Sequence, residues 1–153
     1  MTDPTIHASA VTIGGRGVLV RGASGSGKSS LVLQILSADP VGSALIADDR
    51  VTLKADGVRL MASAPHLLAG LLEIRGQGIL RLPYLSPAAV DLVVDIVPAD
   101  ACPRMPSAQE RLECVAGITL PRIFLASGSG DGAARVRAAL TWPVAENPLH
   151  INW

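Results

Sequence analysis

The chain has 153 residues, enough for one domain with a real core and too few for two. Apolar residues make up 49% of it but aromatics only 3%, so the core must be built from Ala, Val, Leu and Ile. Thirteen basic residues cancel thirteen acidic ones and no basic block occurs, which excludes a general electrostatic attraction to nucleic acid or anionic lipid.

Residues Ile6 to Ile13 partly alternate and are rich in β-branched types, GGRG follows as a turn, and Val18 to Val20 form a second apolar run. This predicts a hairpin that leads directly into a glycine-rich loop. Beyond the loop, Leu31, Val32, Ile35 and Leu36 recur at helical spacing over Ser29 to Leu36, and Asp39-Pro40 ends that helix. Ala44 to Ala47 reads as a short buried strand running into Asp48-Asp49, and Val51 to Leu53 with Val58 to Met61 reads as a second hairpin.

Pro65 to Leu72 is expected as a short helix followed by the loop EIRGQG. Leu92 to Val97 and Ile118 to Leu125 are strand candidates, and Ala133 to Leu140 is the last helix. Pro98 to Pro106 and the SGSGDG stretch Ser127 to Gly132 are loops, the latter a connection because no lysine accompanies it. The mixture of hairpins and βα units predicts an α/β fold, a single domain over 1–153 with a mixed sheet flanked by helices. Its core covers about 6–140, with a short tail over 141–153.

Cys102 and Cys114 match neither a zinc site nor a disulfide framework and read as two reduced thiols. The start MTDPTIHASA has no basic and apolar leader, and nowhere do 18 apolar residues run together. A cytoplasmic protein with neither membrane nor nucleic-acid partner is the expectation.

Gly22-Ala23-Ser24-Gly25-Ser26-Gly27-Lys28-Ser29 satisfies G-x-x-x-x-G-K-[ST], the Walker A phosphate loop. Its glycines let backbone N–H groups converge on phosphates, and the helix that follows adds its positive end. Lys28, one of only two lysines, is placed for the β- and γ-phosphates, and the Ser29 hydroxyl for Mg²⁺. A chance match in a chain this long is roughly a one-in-a-hundred event. ATP and Mg²⁺ are therefore the expected ligands. In such proteins an acid at a strand's C-terminal end holds the metal, so Asp48-Asp49 can divide the work, one carboxylate toward Mg²⁺ and the other toward the incoming nucleophile. Glu73-Ile74-Arg75-Gly76-Gln77-Gly78 sets an acid suited to a metal and an arginine suited to a phosphate in one short segment.

These pieces together resemble the HPr kinase/phosphorylase family, in a short form comprising only the catalytic C-terminal domain. GASGSGKSS resembles the family's phosphate loop, LIADDRV its strand ending in paired aspartates, and APHLLAGLLEIRGQGI its signature APxxLxxxLEIRGxGI. His7 aligns with a histidine upstream of the loop, Arg111 in QERL with the arginine of a DRLG segment, and ITLPRI with ITVPV. The resemblance implies a P-loop fold related to phosphoenolpyruvate carboxykinase. It implies an ATP-dependent protein-serine kinase acting on HPr, the phosphocarrier of the sugar phosphotransferase system, in a regulatory role. With inorganic phosphate the reaction would run backward and release pyrophosphate.

By carry-over, Lys28 grips the phosphates, Ser29 and Glu73 handle Mg²⁺ with Asp48 beside them, and Asp49 exchanges the proton. His7 and Arg111 support the transfer. Longer members carry an N-terminal domain and final helices that contact partner subunits. The basic loop after ITVPV is replaced here by Arg122 to Ser127, which weakens the case for phosphorolysis and leaves homo-oligomer formation open. An ATP-binding regulator with little transfer activity, or a small-molecule kinase on the same loop, remain the alternative readings.

Overall fold

The computed structural model describes residues 4–145. The expected hairpin is formed by β2 (Ser9–Ile13) and β3 (Arg16–Arg21), paired antiparallel through Ile13 and Arg16, whereas the start of the expected first arm is a separate strand, β1 (Thr5–His7), which pairs elsewhere in the sheet. The loop 22–27 leads into α1 (Lys28–Ala38), which buries Leu31, Val32 and Ile35 and ends before Asp39-Pro40. Then come β4 (Ser43–Ala47), β5 (Arg50–Asp56), β6 (Arg59–Ser63), β7 (Leu71–Ile74), β8 (Gly78–Arg81), β9 (Ala88–Val97), β10 (Leu112–Val115), β11 (Ile118–Ala126) and α2 (Gly132–Thr141).

Nine strands form one mixed sheet, with order β1-β5-β6-β9-β3-β2-β4 and with β11 and β10 continuing from β9. β9 lies at the centre because it is apolar on both faces. Leu92 and Val94 enter one cluster with Val18, Val20, Leu31, Ile35 and Val136, whereas Val93 enters another with Leu19, Ile46, Val51 and Leu60. Alternate strand residues point to opposite faces, so a strand buried on both sides needs an unbroken apolar run. Each such aliphatic side chain contributes on the order of 1.5–3 kcal/mol by leaving water.

The mixed sheet with packed helices is as expected, and the two clusters show which face the helices take. Among the described residues both α-helices pack on the face of Val18 and Val94. The opposite face is covered by strands, because β5, β6 and the β10–β11 hairpin curl over it and contribute Val51, Leu60, Ala62 and Leu120. Two corrections concern the middle of the chain. The expected helix over Pro65 to Leu72 shrinks to a single 3₁₀ turn, His66–Leu68, and EIRGQG is not a loop but the turn of a separate hairpin, β7–β8. Strand β10 was not foreseen. The carboxyl-terminal residues of the expected tail, 146–153, lie outside the described residues.

Strand directions decide where a site can form. β3 and β4 both run antiparallel to β2, and β3 and β11 both run parallel to β9. The carboxyl ends of β3, β4, β9 and β11 therefore share one edge, the edge where open α/β sheets bind ligands.

Candidate functional site

The glycine-rich loop emerges from β3 at that edge. Gly25 and Gly27 adopt φ 78° and 108°, values in which a Cβ would be strained, and this turns the chain sharply into α1. The loop is closed by Ser26 N–H donating to Ala23 O (3.0 Å), and Gly27 O accepts the first helical bond from Leu31 N–H (2.9 Å). The Lys28 stem is buried, and its Nζ donates to the loop carbonyls of Gly22 (2.8 Å) and Ala23 (3.0 Å). The cation thus stands at the mouth of the loop, held by carbonyl dipoles and not by a carboxylate.

The paired aspartates take separate positions. Asp48 is buried, and its Oδ1 accepts hydrogen bonds from Ser9 Oγ (2.7 Å) and from Ser29 Oγ (2.9 Å). Asp49 is exposed and stands 2.9 Å from Nε2 of His7. The divergence comes from a turn of the backbone at Asp49. Asp49 has φ 67°, a left-handed conformation that aspartate tolerates better than most residues and that is concentrated at functional sites. His7 reaches it because β1 pairs with β5 in the register His7 to Arg50.

A cleft of about 610 Å³ lies over the loop. Its lining brings together His7, Lys28, Ser29, Asp49, Glu73 and Arg75. The last two arrive on the β7–β8 hairpin, which Leu72 anchors in a small cluster with Val32 of α1 and Leu45 of β4. Ser24, Gly25, Gly27 and Ile74 also line the cleft; Gly76, Gln77 and Gly78 form the far side of the hairpin turn and do not. Arg111 is not brought to the cleft. It precedes β10, its carbonyl accepts from Arg122 N–H (2.8 Å), and its Nε is buried without a partner among the described residues.

Two groups of residues escaped the sequence reading. Ser9 is one of several small residues in β2, and nothing in its neighbourhood along the chain signals the bond to Asp48. The second is a cluster behind the loop. Arg21, the residue before Gly22, binds Asp95 of β9 through Nε (2.8 Å) and also Glu113 of β10. Arg122 of β11 binds Glu113 (3.0 Å) and Asp95 (3.4 Å), with its guanidinium 4.7 Å from the Phe124 ring centroid. The hydrogen bond from Arg21 holds the Glu113 carboxyl below its ordinary value of 4.5, and the bond to Asp95 leads the causes that push the Arg21 guanidinium still higher.

A divalent cation fits part of this arrangement. Ser29 Oγ and Asp48 Oδ1, 2.9 Å apart, are hard oxygen donors of the kind Mg²⁺ takes in small number while phosphates and water complete its shell. Among the described residues no group of three or more His, Cys, Asp or Glu converges to hold a metal ion. Cys102 and Cys114 are free. No helix among the described residues is long and apolar enough to cross a membrane.

Residues 2–96 match the family model of the HPr serine kinase C-terminal domain. The HPr kinase/phosphorylase of Geobacillus thermodenitrificans is 34% identical over 140 residues, covering 84% of this chain and 44% of that protein. The HPr kinase/phosphorylase of Bordetella pertussis is 33% identical over 142 residues, covering 85% and 44%. Other matches, such as that of Clostridium tetani at 39% identity, cover only 26% of the relative, so the chain spans from a quarter to under half the length of these proteins. A solved structure, the HPr(Ser) kinase/phosphatase from Coxiella burnetii, superposes with a TM-score of 0.77 at 26% identity, covering 90% of this chain and 88% of that one.

Proposed function

The chain belongs to the HPr serine kinase C-terminal domain family, and on that premise we propose that it transfers the γ-phosphoryl group of ATP to a serine hydroxyl of an HPr-type phosphocarrier protein. The observation that carries this reading is the position of Asp49, paired with His7 at 2.9 Å and facing the same cleft as Lys28 and Ser29. A serine hydroxyl is a poor nucleophile, and a carboxylate within reach of its proton supplies the general base that in-line transfer needs.

The residues divide the work by chemistry. Loop N–H groups and the positive end of α1 hold the phosphates, and Lys28, now bonded to two carbonyls, turns toward the β- and γ-phosphoryl oxygens. Ser29 and Asp48 hold Mg²⁺, with Glu73 on the facing hairpin as a further oxygen donor. When bound, the ion supplies neutralisation of charge on the β- and γ-phosphates. Asp49 accepts the proton as the serine oxygen bonds to the γ-phosphorus and the bond to the ADP oxygen breaks. His7 fixes the direction of the Asp49 carboxylate, and Arg75 offers a guanidinium to the transferring group. Arg111 has no place in this scheme, because it does not line the cleft. A cytoplasmic setting follows from this pair of substrates.

The reverse reaction uses the same groups, with inorganic phosphate attacking phosphoserine and pyrophosphate leaving. Arg122, the arginine of ITLPRI, is committed to Asp95 and Glu113 and not to the cleft, which favours the forward direction. Incubation with labelled ATP and purified HPr tests the proposal. Labelled phosphoserine on HPr supports it. Label on a metabolite in a cell extract would replace it with a small-molecule kinase, and ATP binding with no transfer at all would replace it with a nucleotide-dependent regulator. Pyrophosphate formed from phosphorylated HPr and phosphate, without ATP, would add the second direction.

A further inference from the structure

Ser9 is buried at the amino end of β2, yet it lines the cleft with Lys28 and Ser29. Its Oγ donates to Oδ1 of Asp48 at 2.7 Å, the same oxygen that accepts from Ser29 Oγ at 2.9 Å. The carboxylate is thus gripped from two elements, α1 through Ser29 and β2 through Ser9.

A register shift makes the second contact. β2 runs antiparallel to β4 with Val11 opposite Leu45 and Ala10 opposite Ala47, so Ile46 is the extra residue between the two pairs. With an even ladder Ser9 would stand opposite Ala47. The shift moves β4 on by one residue and brings Ser9 to Asp48, the first residue past the strand; bulges re-aim side chains in this way beside functional sites. Two positions earlier, His7 meets Asp49. One short segment, 7–9, therefore engages both aspartates.

The surroundings of Asp48 call for a cation. None of the ion pairs among the described residues includes it, so a carboxylate withdrawn from water is held by hydroxyls alone. Two hydroxyl bonds satisfy its oxygen but bring no positive charge. If stability alone were served, apolar residues of the same shape would do as well. Ser9 is also the fixed partner of the two. It pairs with Val20 of β3 while its neighbour Ala10 pairs with Ala47 of β4, so the sheet holds it on both sides. Ser29 stands in the first turn of α1, where a nucleotide-bound ion would engage it.

Resting on the reading that Ser29 and Asp48 hold Mg²⁺, we infer that Ser9 is a positioning residue of the cation site. It fixes the Asp48 carboxylate before the ion arrives. Ser29 Oγ, its proton committed to Oδ1, then keeps its lone pairs for the metal. Outer partners that orient a metal ligand in this way are worth on the order of tenfold or more in metal affinity.

The factor by which Mg²⁺ tightens ATP binding isolates this site, and calorimetric titration of the full chain with ATP in Mg²⁺ and in EDTA reads it. In the wild type the factor should be at least about tenfold. In Ser9→Ala it should fall to within about threefold, while ATP affinity in EDTA stays that of the wild type. Ser9→Thr, which keeps the hydroxyl, should keep the wild-type factor. Should Ser9→Ala not fold, Ser9→Cys carries the same expectation, since a thiol is only a weak donor. A folded Ser9→Ala with the full Mg²⁺ factor overturns the role of Ser9 and leaves the cation site standing, and so does a folded Ser9→Thr as impaired as Ser9→Ala. A wild type that binds ATP equally with and without Mg²⁺ overturns the cation site at Ser29 and Asp48, and this inference with it.

Discussion

Nε2 of His7 and Oδ1 of Asp49 lie 2.9 Å apart, although one residue ends β1 and the other occupies a left-handed turn after β4, strands at opposite ends of the sheet order. The pair gives Asp49 a fixed direction while leaving its carboxylate accessible to a substrate. Asp48 next to it is buried on two serine hydroxyls. Adjacent acids thus have different surroundings, and different surroundings give them different chemistry.

Asp49→Asn should therefore lower HPr phosphorylation by about a hundredfold or more, the usual worth of a general base. Asparagine tolerates a positive φ as well as aspartate does, so the fold should be unaffected. Affinity for Mg–ATP should change far less, because the loop and Ser29 are untouched. Single-turnover kinetics alongside ATP titration check this. Near-normal transfer in Asp49→Asn with an inactive Asp48→Asn would exchange the two roles.

Lys28→Ala should abolish productive ATP binding while the protein stays folded. The lost bonds to Gly22 O and Ala23 O are local to the loop and should cost only about 1 kcal/mol of stability. Equilibrium binding and a thermal melt on the same sample check both halves. Wild-type affinity in the variant would remove the lysine from phosphate binding.

Gly17→Ala tests the packing that supports the site. A Cβ at Gly17 would stand 2.0 Å from Ala89 O and 2.9 Å from Ala89 C, both backbone atoms of β9 that have no rotamer to escape into. The strand pair must shift, at a cost of about 1–3 kcal/mol. The urea midpoint should fall accordingly; an unchanged midpoint would show that β3 and β9 can separate freely here.

Glu113 makes stability depend on pH in a defined sense. Its folded-state carboxyl titrates below the unfolded value of 4.5, chiefly because of the hydrogen bond from Arg21. It therefore contributes stability that is fully present above pH 4.5 and is lost as pH falls through the lower folded value. Glu113→Gln should lower stability at neutral pH by about 1 kcal/mol, since the cluster is partly exposed, and should flatten the acid limb. Denaturant midpoints measured from neutral to acid pH would reveal the change of slope, and parallel curves for the two proteins would count against the cluster.

The glycine-rich loop, the strand before it, the helix after it and the paired aspartates could all be read from the chain, because each is specified within a few consecutive residues. G-x-x-x-x-G-K-[ST] needs only its own backbone to form, and an amphipathic helix announces itself by its period. The same holds for the link from Glu73 to Arg75, whose residues were legible although their hairpin was not. A four-residue strand such as β7, β8 or β10 has too short a pattern to separate from a turn or a helix end, and its pairing partner supplies what its sequence lacks. Only the tertiary structure decided that both helices share one face, since β9 sends apolar side chains to both faces. It alone decided the contacts between residues distant along the chain: His7 on Asp49, Ser9 on Asp48, Arg21 with Glu113, and Ser127 on the loop. The same distance along the chain kept the sequence from showing that Arg111, for all its familiar surroundings, stands away from the cleft. Such contacts depend on strand order and register, which are set by burying two apolar layers at once and leave no local trace.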